Sequence, residues 1–414
     1  MIRDNATPHQ LPHPTNAINL GAITKIFPLA RIQRILRDTG RQSKRLRQLP
    51  AHVMVYYVIA LALFMHVAYG EVLRCLVEGL GWLGFPLHRI RTTTSGAISR
   101  ARARLGVEPL QQLFEETVQP IATPQTRGAW YRSWHLVSLD GTTLEVADTP
   151  ANAELWGYPA ASRGQSAFPQ LRLVSLLECG THVLFGAEYG PYSVGETTLA
   201  KKVLEHLTPG MLCLADRCFF GYELWNQAGG TGADLLWRVR KNIILPVIRN
   251  LPDGSYLSNI YPSPQDRKKD RNAVAVRVIE YRIEGAKNPK RIYRLITSIL
   301  DHEAAPALEL AALYHQRWEI ENTLDEFKTH LRGSKIVLRS KTPLLVRQEL
   351  YGFLLAHFAV RGLMHEAALE ADLDPDVLSF VHTLRVIRRK IPAFALIPPS
   401  GDRALSPTRL GRDP

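Results

Sequence analysis

Tyr314, Arg317, Glu321 and Lys328 bring a phenol, a guanidinium, a carboxylate and an ammonium into one short stretch, residues 314–328, which reads Y-H-Q-R-W-E-I-E-N-T-L-D-E-F-K. The stretch lies between Pro306 and Gly333 and holds neither Pro nor Gly, so one continuous helix is predicted. At about 100° per residue the four side chains share a stripe roughly 60° wide. Leu313, Ile320, Leu324 and Phe327 fall on an adjacent stripe that would face the core, with Trp318 on the other flank. A charged stripe is ordinarily a solvated face. Here one carboxylate stands among three groups suited to phosphate, and the stripe borders the buried face, which favours a site.

Two acids upstream point to a metal. Residues 135–140 form a short apolar run ending in Asp140 and a turn glycine, Gly141; residues 211–215 form a fully apolar run leading into Asp216. A strand that delivers a carboxylate without a partner into an apolar setting is unfavourable. A divalent cation resolves this, because Mg²⁺ is held by one or two carboxylates with water and substrate phosphate, and paired ions clamp both oxygens of a phosphodiester displacement. Asp325, one turn beyond Glu321 on nearly the same face, competes for the place of third acid. Glu145 and Asp148 read better as strand-face and turn residues.

These residues carry a family resemblance. The pattern Y-x2-R-x3-E-x6-K, with S-L-D-G-T-T-L-E-V-A-D around Asp140 and A-D-R-C-F around Asp216, resembles the bacterial cut-and-paste DDE transposases of the insertion sequence four family. The resemblance implies a triad of Asp140, Asp216 and Glu321 holding Mg²⁺, replaceable by Mn²⁺, as two ions. It implies phosphate handling by Tyr314, Arg317 and Lys328. It implies cleavage at terminal inverted repeats, joining of the 3′-hydroxyl ends to target DNA by transesterification, and a homodimer on double-stranded DNA. Alternatives are a nuclease of the same fold without strand transfer, and an inactive DNA-binding regulator derived from a transposase. Family members that form DNA hairpins stack a flipped base on an aromatic of a β insertion; here Tyr281 and Tyr293 are the candidates.

Composition agrees. The chain has 414 residues, a net charge of +13 and 46% apolar residues, enough for two or three domains. Such a cationic surplus disfavours an enzyme of small acids and suits neutralisation of many phosphates; an anionic membrane surface is the second choice. Cys75, Cys179, Cys213 and Cys218 are scattered without zinc spacing and read as reduced core thiols. With no signal-peptide pattern at the N-terminus, a cytoplasmic location is expected. The apolar run 53–69 contains His66 and reads as a buried helix, so no membrane partner is expected. The G-G-T-G at 229–232 lacks the Lys-Ser/Thr of a P-loop, so no nucleotide cofactor is expected.

The elements that must position these residues follow in order. Residues 1–20 read as a flexible arm and 21–125 as a helical, basic, DNA-binding domain. In that domain 23–49 is one basic helical stretch, with Arg31, Arg34, Arg41 and Arg45 near one face, and 53–80 is an apolar helical core. Thr94 or Ser95 caps a helix carrying Arg100, Arg102 and Arg104, assigned to end recognition by likeness to DNA-reading helices. Residues 130–340 read as an α/β (α+β) catalytic core with an RNase H-like mixed sheet: strands near 135–140, 144–146, 171–177, 182–187, 211–215 and 235–239, helices at 197–207 and 222–227, and a β-rich insertion at about 241–290. Arg217, beside Asp216, and the basic turn with Arg339 and Lys341 are assigned to phosphate. Residues 341–396 read as a helical C-terminal region and 397–414 as a disordered tail.

Overall fold

The computed structural model describes residues 20–45, 48–82, 93–161, 164–283, 292–316, 324, 326–331 and 337–389. Residues 1–19 of the expected arm and the expected tail lie outside them, as does most of the stretch 317–325. Helices α1 (Leu20–Ile26) and α2 (Leu29–Asp38) replace the first part of the expected basic helix. Pro28 separates them, since it cannot donate within a helix but opens one well. The described residues between Thr39 and Ala51 are irregular. The expected apolar helix over 53–80 is likewise two helices, α3 (Ala51–Leu63) and α4 (Tyr69–Trp82). Every residue from Val53 to Leu63 is buried, as expected of a helix apolar all round. Among the described residues no helix is long and apolar enough to cross a membrane. Helix α5 (Ser95–Leu105) is capped by Thr94, whose Oγ1 accepts from the Ala97 N–H at 3.3 Å; α6 (Glu108–Thr117) follows.

A ten-stranded mixed sheet comes next. Its strands are β1 (Trp130–Tyr131), β2 (Trp134–Glu145), β5 (Gln170–Glu178), β6 (Leu184–Pro191), β7 (Met211–Ala215), β8 (Asp234–Arg238), β9 (Arg249–Asn250), β10 (Tyr256–Ile260), β11 (Val274–Tyr281) and β12 (Tyr293–Thr297). A separate small hairpin holds β3 (Ala160–Ala161) and β4 (Gly164–Gln165). The order is β6-β5-β2-β7-β8-β12-β11-β10-β9, with β1 paired to β2. The trio β6-β5-β2 is antiparallel and β2-β7-β8 parallel, the mixed sheet of an RNase H-like core. The two parallel links run through α8 (Glu196–Val203) and α9 (Tyr222–Gly229); α7 (Pro150–Trp156) and α10 (Pro264–Lys268) lie in connections.

One expectation changes here. Asp140 does not end a strand: β2 runs on through Gly141 to Glu145, because β5 keeps pairing with it, Asp140 opposite Ser175 and Gly141 opposite Val174. The β-rich insertion expected at about 241–290 contains β9, β10 and β11. It extends the core sheet, since β12 pairs antiparallel with β8 and carries β11, β10 and β9 outward.

Alternate residues of the central strands enter two cores, as the pleat requires. Cys213, Ala215, Leu235 and Trp237 join one core, together with the helices of both chain ends. Leu136, Leu212, Leu214 and Leu236 join the other, which is covered by α11 (Ala307–Gln316). Helices α12 (Pro343–Ala371) and α13 (Phe380–Arg389) complete the fold. Helix α12 packs on α3, and Gly352 permits the approach: a Cβ there would lie 2.6 Å from the Val58 carbonyl oxygen. Cys75 and Cys213 are buried and Cys179 is half-buried, but Cys218 is exposed and is no core thiol.

Candidate active site

Strand register sets the site. Leu139 of β2 pairs with Ala215 of β7, which pairs with Trp237 of β8. The next residue on each strand is Asp140, Asp216 and Arg238. Neighbouring strands lie about 4.8 Å apart, so two carboxylates and a guanidinium start side by side where the parallel pairing stops. All three share the parity of Leu136, Leu214 and Leu236 and so belong to the face covered by α11. Asp140 and Asp216 are half-buried. The Gly141 N–H donates to Asp140 Oδ1 at 2.8 Å, and Arg238 Nη1 stands 3.6 Å from Asp216 Oδ1.

Helix α11 is fixed at its start. The Ala307 N–H donates to Asp253 Oδ2 at 2.9 Å, and the buried Arg277 donates to the same carboxylate at 2.8 Å. Tyr131 Oη donates to Glu309 at 2.7 Å, and Arg132 pairs with Glu309 at 3.1 Å. Near the end of α11 the buried Tyr314 turns its hydroxyl to the Ala215 carbonyl at 3.2 Å, one residue before Asp216. Tyr314 thus braces the strand end that delivers the second aspartate. Arg317 and Glu321 lie outside the described residues, as do Ile320, Trp318 and the competing Asp325. The chain resumes at Leu324 and in a π-helical turn, Glu326–Leu331, that contains Lys328. Leu324, Phe327 and Leu331 enter the core on the opposite face of the sheet from Tyr314.

The remaining expected residues divide. Arg217 and Lys341 are exposed, as are Arg100 and Arg104. Arg102 departs from the expectation: it is fully buried, donating to Gln348 Oε1 and Ser340 Oγ at 3.2 Å and to the Leu345 carbonyl at 2.8 Å. Residues two apart on a helix point about 160° apart, so Arg100 and Arg104 face outward while Arg102 ties α5 to α12. Arg339 is also turned inward. It donates to the Val67 carbonyl, in the break between α3 and α4, and lies over the Tyr69 ring at 4.6 Å. Of the basic face on α2, Arg34 pairs with Glu116 and Asp38, and Arg31 donates to Thr117 Oγ1 at 3.1 Å. Asp148 accepts from Tyr158 Oη at 2.7 Å, as a turn residue would.

Arg238 was not among the expected site residues. Its signal was the end of β8: Trp-Arg closes that strand, and Ala215 closes β7 just before Asp216. Its guanidinium lies 5.0 Å from the Tyr293 ring centroid, and Tyr293 stacks on Tyr281 with centroids 5.5 Å apart. Burial pushes the Tyr281 hydroxyl up to about 12. The two tyrosines thus form a platform continuous with the acidic centre.

Two adjacent half-buried carboxylates repel one another unless countercharge is supplied. Arg238 supplies some on the Asp216 side. Their hard oxygen donors fit a divalent cation of the Mg²⁺ class, which accepts few protein ligands and keeps water. Among the described residues no third His, Cys, Asp or Glu joins them.

The chain also matches known proteins. The family model of the insertion element 4 transposase N-terminal region matches residues 17–115, and that of the transposase DDE domain matches residues 135–359. The chain is 31% identical over 366 residues to Transposase InsG for insertion sequence element IS4 of Escherichia coli, covering 87% of this chain and 80% of that protein. It is 27% identical over 226 residues to Putative transposase InsZ of the same organism, covering 54% and 71% respectively. Among solved structures, the piggyBac transposase synaptic complex with hairpin DNA aligns over 91% of this chain and 81% of that one, at 12% identity and a TM-score of 0.47.

Proposed function

The chain belongs to the DDE transposases of the insertion sequence four family, and we propose that Asp140, Asp216 and Glu321 are its metal-binding acids. As a member it is a divalent-metal-dependent enzyme that binds DNA, cuts it and transfers strands. The observation that supports the assignment of the two aspartates is their common register beyond Leu139 and Ala215. Glu321 is assigned from its place between Tyr314 and Lys328 in the motif. The cation is Mg²⁺, replaceable by Mn²⁺, and Asp140, Asp216 and Glu321 would hold two such ions. When bound, they supply Lewis acidity at the phosphate and a competent oxygen nucleophile at neutral pH.

The protein's own groups do the rest. Arg238 and Arg317 offer planar forks to non-bridging phosphate oxygens, and Lys328 adds a point charge. Tyr314 holds the end of β7 through the Ala215 carbonyl, so that Asp216 keeps its place as the phosphate enters. Arg217 and Lys341 contact the DNA backbone, and Arg100 and Arg104 read element ends. Joining two ends calls for a homodimer on DNA, and the reaction belongs in the cytoplasm with the chromosome. A direct test compares Glu321→Ala with Asp325→Ala on an inverted-repeat duplex. Glu321→Ala should abolish cleavage and retain DNA binding, while Asp325→Ala should still cleave. The reverse outcome would displace Glu321 from the triad.

A further inference from the structure

Lys328 sits on an unusual piece of backbone. Residues Glu326–Leu331 wind as a π-helical turn, a rare form found mostly as single turns and often at functional sites. Its wider winding means that the rotation of this turn about its axis is set locally. Two contacts set it. The buried Phe327 ring packs edge-on against Phe353 and His357, with centroids 5.9 and 5.8 Å away. The Glu326 carboxylate accepts from Arg361 Nη2 on α12.

Arg361 is only 2% exposed. The same Nη2 meets His182 Nδ1 at 2.7 Å, and His182 Nε2 lies 2.9 Å from Asp376 Oδ1. A guanidinium only donates, so Nδ1 accepts and Nε2 carries the proton toward Asp376. His182 occupies the β5–β6 connection at φ +60°, a left-handed conformation uncommon for any residue but glycine. The series Glu326–Arg361–His182–Asp376 therefore ties the π-helical turn to α12, to a hairpin and to the short 3-10 turn Pro375–Val377.

Stability does not explain a buried ion pair of this kind, because apolar side chains of similar volume generally serve as well or better. A directional fork does supply registry. We propose that Arg361, acting through Glu326, is a positioning residue that fixes the rotation of the π-helical turn and so the placement of Lys328 in the active site. The proposal rests on the reading that Lys328 serves the reaction.

The test uses the full-length protein, an inverted-repeat duplex and saturating Mg²⁺, with single-turnover cleavage, DNA affinity and melting temperature measured together. In the paired variant Glu326→Leu with Arg361→Met, melting and DNA affinity should stay near those of the unaltered protein. Cleavage should slow by roughly 10- to 100-fold, the scale of an ångström's misplacement of a catalytic group. Cleavage at the unaltered rate would overturn the proposal, since a purely structural pair predicts that result. Should the paired variant fail to fold, Arg361→Lys, which keeps the charge and loses the fork, carries the same comparison: slowed cleavage supports the proposal and an unaltered rate overturns it. Repeating the paired variant in a Lys328→Ala background separates the two readings. If Arg361 acts through Lys328, the pair then adds almost no further loss, as coupled sites do. A full, independent loss overturns the positioning role and leaves the role of Lys328 standing. An unaltered rate in Lys328→Ala alone removes both.

Discussion

Replacing Arg238 with glutamine should move metal affinity and catalysis in opposite directions. The Arg238 guanidinium stands 3.6 Å from Asp216 Oδ1. An ion ligated by that oxygen at about 2.1 Å is at most roughly 6 Å from Nη1. Coulomb's law gives about 1.4 kcal/mol of repulsion between a single and a double charge at that distance, even with the dielectric constant of water. Screening in about 0.1 M salt removes nearly half, so Arg238→Gln should tighten divalent binding to the DNA-free protein by about 3- to 10-fold. The pair is itself partly exposed, so loss of its attraction should cost at most about 1 kcal/mol of stability. Once DNA is bound the sign reverses: a phosphate loses a fork-like donor, and single-turnover cleavage should fall about 10-fold or more. Calorimetric titration with Mn²⁺ at constant ionic strength, beside cleavage of a labelled end duplex, reads both. Unchanged or weaker Mn²⁺ binding in Arg238→Gln would refute the electrostatic reasoning. Unchanged cleavage would remove Arg238 from the site.

Two further outcomes follow from burial. Arg102→Ala leaves Gln348, Ser340 and the Leu345 carbonyl without their donor and should lower unfolding free energy by about 3 kcal/mol, whereas Arg104→Ala should change it by no more than about 0.5 kcal/mol and flatten the salt dependence of end binding by about one unit of slope; denaturant titration and binding isotherms distinguish them. His357 is fully buried, and that burial, with the positive charge of Arg361, holds its pKa well below the ordinary imidazole value. The unfolded chain therefore takes up a proton that the native state refuses, so stability is level above about pH 6.5 and falls on acidification by up to about 1.4 kcal/mol per pH unit. His52, His66 and His365 are lowered too and act with the same sign. His357→Met should reduce the slope between about pH 6.5 and 5, and an unaltered slope would argue against a neutral His357.

Much of the site could be read from the chain because its signals are local. Met211–Ala215 is an unbroken apolar run into Asp216, and it forms β7 over those residues. Asp140 was found for the same reason, yet its strand was cut short: Gly141 reads as a turn residue, and only β5, distant in sequence, keeps β2 extended through it. Pairing of β12 with β8 is equally non-local, so the β-rich segment could be read from the chain but its place as an extension of the sheet could not. Arg102 illustrates the opposite error. An alternating row of arginines suggested a shared role, but helical geometry sends every second one to the opposite side. Arg238 could have been found by comparing strand ends, since the residue after Trp237 must stand beside the residue after Ala215.

The central claim, that register brings Asp140 and Asp216 together to hold the catalytic cation, is tested most directly by anomalous diffraction from crystals of the protein soaked in Mn²⁺. The account predicts a peak within about 2.0–2.4 Å of carboxylate oxygens from both aspartates, with Glu321 as the third protein ligand. A peak that engages Asp325 in place of Glu321 would correct the triad. A peak that touches neither Asp140 nor Asp216, in protein that cleaves element ends, would contradict the account.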